Sequence, residues 1–209
     1  MHSDVGKSSF EFDLSGGVLC LDFANTLSRR KTPEESTDHL RYYDDLIAFA
    51  EQTKILSPKQ SKDLQARARR HGRSSEHALR RAISHRENIY RVFSALAEGK
   101  PAGSDDVQQI TDFAVEALNH RQIERADGRY RWEWHWNGKK LPDRILWPIA
   151  QSAAELLTSS ELDSVRICKV PDCAWLFLDR SRNHSRRWCD MRVCGNRQKA
   201  RRHYRRSHQ

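Results

Sequence analysis

Four of the five cysteines fall in the last fifth of the chain, as Cys168-x4-Cys173, fifteen intervening residues, then Cys189-x4-Cys194. Two short-spaced pairs joined by a loop can converge on a tetrahedron, the geometry Zn(II) favours with thiolate ligands. Each pair has a means of turning, Pro171-Asp172 inside the first and Gly195 directly after the second. Met1 to Phe10 carries no apolar leader, so clustered cysteines read as metal ligands ahead of disulfides. Incidental or redox thiols and an iron–sulfur cluster are the competing readings, and His184, inside the loop, could replace one ligand. Four protein ligands leave no open position, which makes the expected Zn2+ structural. Cys20 stands alone.

Directly after Cys194 the sequence runs Gly195-Asn196-Arg197-Gln198-Lys199-Ala200-Arg201-Arg202-His203-Tyr204-Arg205-Arg206, with good helix formers throughout. Arg197, Arg201 and Arg205 recur at i, i+4, and Arg202 and Arg206 do the same beside them. Like charges at that spacing repel by a few tenths of a kcal/mol, about 0.2–0.5 per pair, which points to an external polyanion. From Ser164 onward thirteen Lys/Arg stand against three Asp/Glu, whereas the whole chain has 37 against 28. Eleven of the thirteen are arginine, whose fork fits phosphate and guanine edges. Arg186, Arg187, Arg197, Lys199, Arg201, Arg202, Arg205 and Arg206 are the expected phosphate contacts. Asn196 and Gln198 are positioned to read adenine if they face a groove.

These groups need elements to position them. At 209 residues, 37% hydrophobic and 31% charged, the chain fits one larger domain and a small appendage. Its longest apolar runs are far short of a membrane span, and the expected location is the cytoplasm, with the nucleoid. The buried segment Val18 to Leu27 reads as a helix or strand-to-helix piece. Helices are predicted over Tyr43–Thr53, over residues 58–70 behind Ser57-Pro58, over Ser75–Glu98, from Ser104, and from Trp147 to Thr158. His71-Gly72 is expected to end the second of these. Tyr130, Trp132, Trp134 and Trp136 alternate onto one strand face, with Asn137-Gly138 as a hairpin turn leading to a second strand. That face is expected to pack into the core. The small finger core would be Ile167, Trp175, Phe177, Leu178 and Trp188, with the metal supplying the remaining folding energy. The fold class is therefore α+β: a mainly helical N-terminal domain, 1–160, with a small antiparallel β-element, and a four-cysteine finger, 161–209, ending in a basic helix.

The run Phe177-Leu178-Asp179-Arg180-Ser181, then Arg186-Arg187-Trp188-Cys189-Asp190-Met191, then Cys194-Gly195-Asn196-Arg197 closely resembles the CGNR zinc finger. Leu19 to Thr26, the Leu79–Ala97 helix and Trp147-Pro148 to Leu157 are similar to the ABATE domain that usually precedes this finger. The resemblance implies a bacterial, stress-responsive transcription regulator. Asp22 and Asn25, polar residues in an apolar segment, are candidates for a ligand pocket or for internal bracing.

The expected function is zinc-dependent DNA binding in transcription control, with double-stranded DNA as partner. The N-terminal domain would sense a small-molecule effector or form a homodimer. No catalytic constellation is present: no phosphate-cradling glycine loop, paired metal-binding histidines or nucleophile elbow. The alternatives are an enzyme or small-molecule-binding domain tethered by the finger, and an adaptor for RNA or an acidic protein.

Overall fold

The computed structural model describes residues 10–135 and 142–207. Helix α1 (Leu19–Ala24) is short, and five of its six residues are buried. It leads through Asn25 and Thr26 into β1 (Leu27–Ser28), which pairs antiparallel with β2 (Thr37–Asp38). Helix α2 (Tyr43–Gln52) starts where the Asp45 carboxylate accepts the backbone N–H groups of Arg41 and Tyr42, both at 2.9 Å. Helix α3 (Pro58–Arg70) starts on a reciprocal cap. The Ser57 hydroxyl accepts from Gln60 N–H at 3.3 Å, and Gln60 Oε1 accepts from Ser57 N–H at 2.8 Å.

His71-Gly72 does not open a loop. Helix α4 (Gly72–Ala97) begins at once, three residues earlier than the sequence predicts, with His71 serving as cap to both helices. Gly99, at φ +72°, ends α4, and α5 (Ser104–Leu118) follows. Helix α6 (Leu146–Leu157) packs along α5 and crosses α1. The core gathers Leu21 and Phe23 of α1, Phe49 of α2, Ile89 and Phe93 of α4 and Ile149 of α6, all fully buried. Arg86 is buried among them and survives desolvation by pairing with Asp38 at 2.6 and 2.8 Å and with Glu87 at 2.8 Å.

The aromatic strand departs from expectation. It forms β4 (Arg129–Trp134), but its partner precedes it: β3 (Arg121–Ala126), with Ile123 opposite Trp132 and Arg125 opposite Tyr130. The turn is Asp127-Gly128, both at positive φ (+52° and +75°), as a two-residue hairpin turn demands. Trp136 and Asn137-Gly138 lie outside the described residues. The aromatic face reaches the core only at Trp134, which is half-buried against the cluster of Ala117, Trp147 and Ala150. Tyr130 is 73% and Trp132 54% exposed, and only the base of the hairpin is held, by His120 stacked on Trp147 at 3.8 Å. Leu118, at the end of α5, is also half-exposed.

Strands β5 (Val165–Ile167) and β6 (Leu176–Leu178) pair antiparallel and flank the first cysteine pair. Val165, Leu176 and Leu178 belong to the same buried cluster as α1, α2 and α4, and Ile167 packs against it. The finger therefore draws on two cores: Leu178 and Ile167 join the main one, whereas Trp175, Phe177 and Trp188 pack with Val170 and the four cysteines in a small core of the finger's own. Helix α7 (Asn196–Ser207) ends the described chain. Among the described residues no helix is long and apolar enough to cross a membrane.

Candidate metal centre and nucleic-acid interface

The first knuckle is the turn between β5 and β6. Cys168 N–H donates to Trp175 O at 2.8 Å and Cys173 N–H to Val170 O at 3.1 Å, while Ala174 takes a left-handed backbone (φ +58°) to reverse the chain. The second knuckle is a single π-turn, Met191–Gly195, that runs into α7. Asp190 Oδ1 caps it by accepting from Val193 N–H at 2.8 Å. A Cβ at Gly195 would meet the Met191 sulfur, the end of an exposed side chain that would have to move aside, and would lie 3.4 Å from the Trp188 ring. Lys169 N–H to Arg187 O, 2.9 Å, joins the two knuckles.

Cys168, Cys173, Cys189 and Cys194 are all buried, and their sulfurs lie within 4.8 Å of one another. The Cys173–Cys189 and Cys189–Cys194 separations are 3.7 and 3.6 Å. Sulfurs about 2.3 Å from a tetrahedral zinc stand about 3.8 Å apart, so the four donors fit the ion. Among the described residues no fifth ligand joins the group, and the His184 imidazole Nδ1 is instead bonded to Asp179 O at 2.8 Å. The loop between the knuckles is organised by Asp179, fully buried, which accepts from Ser181 N–H at 3.0 Å and Arg186 N–H at 2.8 Å. Cys20 is apart from this site; burial pushes its thiol up to about 12, and it packs as a small core residue.

The basic residues divide into two groups. Arg186 is a strut: its guanidinium donates to the carbonyls of Trp188 (2.8 Å) and Cys189 and lies 4.6 Å over the Phe177 ring. Arg197 donates to the Cys194 sulfur at 3.7 Å and pairs with Asp172 at 3.3 Å. Arg201, one turn later, pairs with the same carboxylate at 3.3 Å. Asp172, which the sequence offers only as a turn residue, thus clamps α7 against the first knuckle and relieves the repulsion between Arg197 and Arg201. The second group, Arg187, Lys199, Arg205 and Arg206, is exposed and makes no ion pair among the described residues. Asn196 is exposed and Gln198 half-buried; the Arg202 side chain lies outside the described residues. Lys169, Arg182 and Arg192 are exposed on the same module.

The finger is fixed to the N-terminal body by polar contacts as well as by the shared core. The Asn25 side chain donates to Leu176 O at 2.8 Å and accepts from Leu176 N–H at 3.0 Å. Trp175 Nε1 donates to Leu27 O at 3.1 Å, and Tyr90 hydroxyl to Ala174 O at 3.0 Å. Asp22 accepts from Gly16 N–H at 2.8 Å, and burial pushes its carboxyl up to about 7. Asp22 and Asn25 border a cavity of only about 60 Å³. A second cavity, about 170 Å³, reaches Cys173, Cys189 and Cys194 beside Arg197.

Residues 17–160 match the family model of ABATE, described as "Putative stress-induced transcription regulator". Residues 164–207 match that of the CGNR zinc finger. No curated protein matches the chain.

Proposed function

The chain belongs to the ABATE family and carries a CGNR zinc finger, and from that premise we propose that it is a non-enzymatic regulator binding double-stranded DNA through the finger. The N-terminal body receives an effector or a second copy. One observation carries the DNA reading: a basic helix springs directly from the last metal ligand, with Lys199, Arg205 and Arg206 exposed and unpaired among the described residues. The zinc sets the direction of that helix; the exposed cations supply attraction to phosphates. Arg186, Arg197 and Arg201 serve chiefly to hold the knuckles and α7 in place, because each already has a partner within the protein.

The test is binding of a fluorescent duplex to zinc-loaded protein across a salt series. Affinity is expected to fall with a log–log slope of about −0.9 per phosphate contact, and the Lys199→Ala/Arg205→Ala/Arg206→Ala variant to flatten that slope by about 2.7. A folded, zinc-loaded protein that ignores duplex DNA at low salt, or that prefers RNA or polyglutamate in competition, defeats the reading.

A further inference from the structure

Helices α3 and α4 meet at His71-Gly72 with no loop between them, and the corner they form is hollow. A cavity of about 430 Å³ opens there, within the roughly 300–1,000 Å³ range of small-molecule sites. The 170 and 60 Å³ cavities beside the finger fall below that range. Its inner wall is made by buried Tyr43 and Leu64 and half-buried Ala68 and Pro142, with Ser75 the buried polar residue on the α4 side. Arg67 and Arg70, three residues apart on one face of α3, both border it from the solvent side.

The corner is also the most basic part of the N-terminal body. From Lys54 to Arg80 eight Lys/Arg stand against two Asp/Glu. Elsewhere on α4 the arginines are matched: Arg81 with Glu116 and Asp143, Arg86 with Asp38, Arg91 with Asp106. Arg67, Arg69, Arg70 and Arg73 make no ion pair among the described residues. Cations in the last turn of α3 do favour the helix dipole, and Arg69 serves that role facing solvent. The dipole does not explain why two of them converge on an apolar hollow. No side chain caps the first turn of α4, which begins at the same corner.

We propose that this cavity binds a small organic anion, with its apolar body against Tyr43, Leu64, Ala68 and Pro142 and its carboxylate or phosphate between Arg67 and Arg70. The site rests on the effector half of the proposed function and is independent of the DNA half. Ser75 lines the cavity and Tyr90 touches the first knuckle, fifteen residues further along α4, a rise of about 22 Å. The site is therefore separate from the finger.

The experiment titrates the full zinc-loaded chain, without DNA, by calorimetry. The probes are octanoate, benzoate and phenyl phosphate, with octanol and inorganic phosphate as controls for body without charge and charge without body. Saturable one-site binding is expected for at least one of the three acids. Octanol, inorganic phosphate and the Arg67→Ala/Arg70→Ala variant are each expected to be weaker by about tenfold or more, the loss of one charge-assisted hydrogen bond or greater. Ala68→Phe, which fills the hollow and keeps every charge, is expected to abolish binding, while Lys59→Ala/Lys62→Ala leaves it unchanged. The inference is overturned if no acid binds, if octanol binds as well as octanoate, or if both cavity variants bind like the wild type. It is equally overturned if the α3–α4 face takes duplex DNA or polyphosphate but none of the acids. Binding that persists in the Lys199→Ala/Arg205→Ala/Arg206→Ala variant separates this result from any failure of DNA binding.

Discussion

The chain contains two hairpins of opposite character. β3–β4 has six paired residues per strand and a row of large aromatics, yet Tyr130 and Trp132 face solvent and the hairpin is held only at its base. β5–β6 has three per strand and no aromatic row, yet every β6 residue is buried. The difference lies in the surroundings of each hairpin. Around β5–β6 the backbone is captured on all sides, by Asn25 on Leu176, by Gly16 O accepting Leu178 N–H at 2.9 Å, and by the metal knuckle between the strands. β3–β4 has the pairing, with capture confined to its base at Trp134. Strand length and aromatic content set whether a hairpin can form; neighbouring elements set whether it is buried.

Removing the metal attacks the captured hairpin hardest. Chelation is expected to withdraw on the order of 10 kcal/mol of folding free energy from the knuckles. Hydrogen exchange would then show residues 165–207 losing protection while β3–β4 exchanges as before. Equal loss in both hairpins would erase the contrast. Leu176→Ala comes next, at about 3 kcal/mol by chemical denaturation, because the side chain is fully buried and its loss leaves a cavity. It should also speed zinc release to a chromogenic chelator.

A smaller effect comes from Asp22, beside Gly16 at the end of β6. Its folded carboxyl is raised to about 7, above the ordinary 3.8, so the folded state holds the proton more tightly than the unfolded chain. Stability is therefore expected to be highest near and below pH 4 as far as this group is concerned, to fall as pH rises from about 4 to 7, and to level off above. Asp22→Asn should remove that slope in denaturation curves taken at several pH values. The smallest effect belongs to the largest side chain: Trp132→Ala should cost about 0.5 kcal/mol, because the ring is more than half exposed and touches no buried cluster among the described residues. A larger loss would mean that the projecting face is covered in solution.

The legible parts of the sequence were those where one local rule suffices. Four thiolates on one ion require short spacings, and the spacing alone brought out Cys168, Cys173, Cys189 and Cys194. Ser57-Pro58 and Gly99 fix helix ends through contacts a few residues away. Roles set by distant partners were not legible. Arg186, Arg197 and Arg201 look alike in the sequence to Arg205 and Arg206; only the position of Asp172 and the knuckle carbonyls separates struts from exposed cations. β3 reads Arg-Gln-Ile-Glu-Arg-Ala, too polar for a strand signal, although Asp127-Gly128 marked its turn. The basic corner of α3 and α4 is hidden in the charge of residues 1–163, where 24 Lys/Arg are cancelled by 25 Asp/Glu.

The bonds from Asn25 and Trp175 into the first knuckle leave α7 without slack. A helix on a loose tether turns to suit whatever groove it meets; if α7 enters a groove as proposed, it turns only with the body that holds the knuckle. Were two such bodies to share one duplex, the gap between their helices would be dictated by protein shape. Inserting about five base pairs, half a helical repeat, would carry the second site to the far side of the double helix, out of reach.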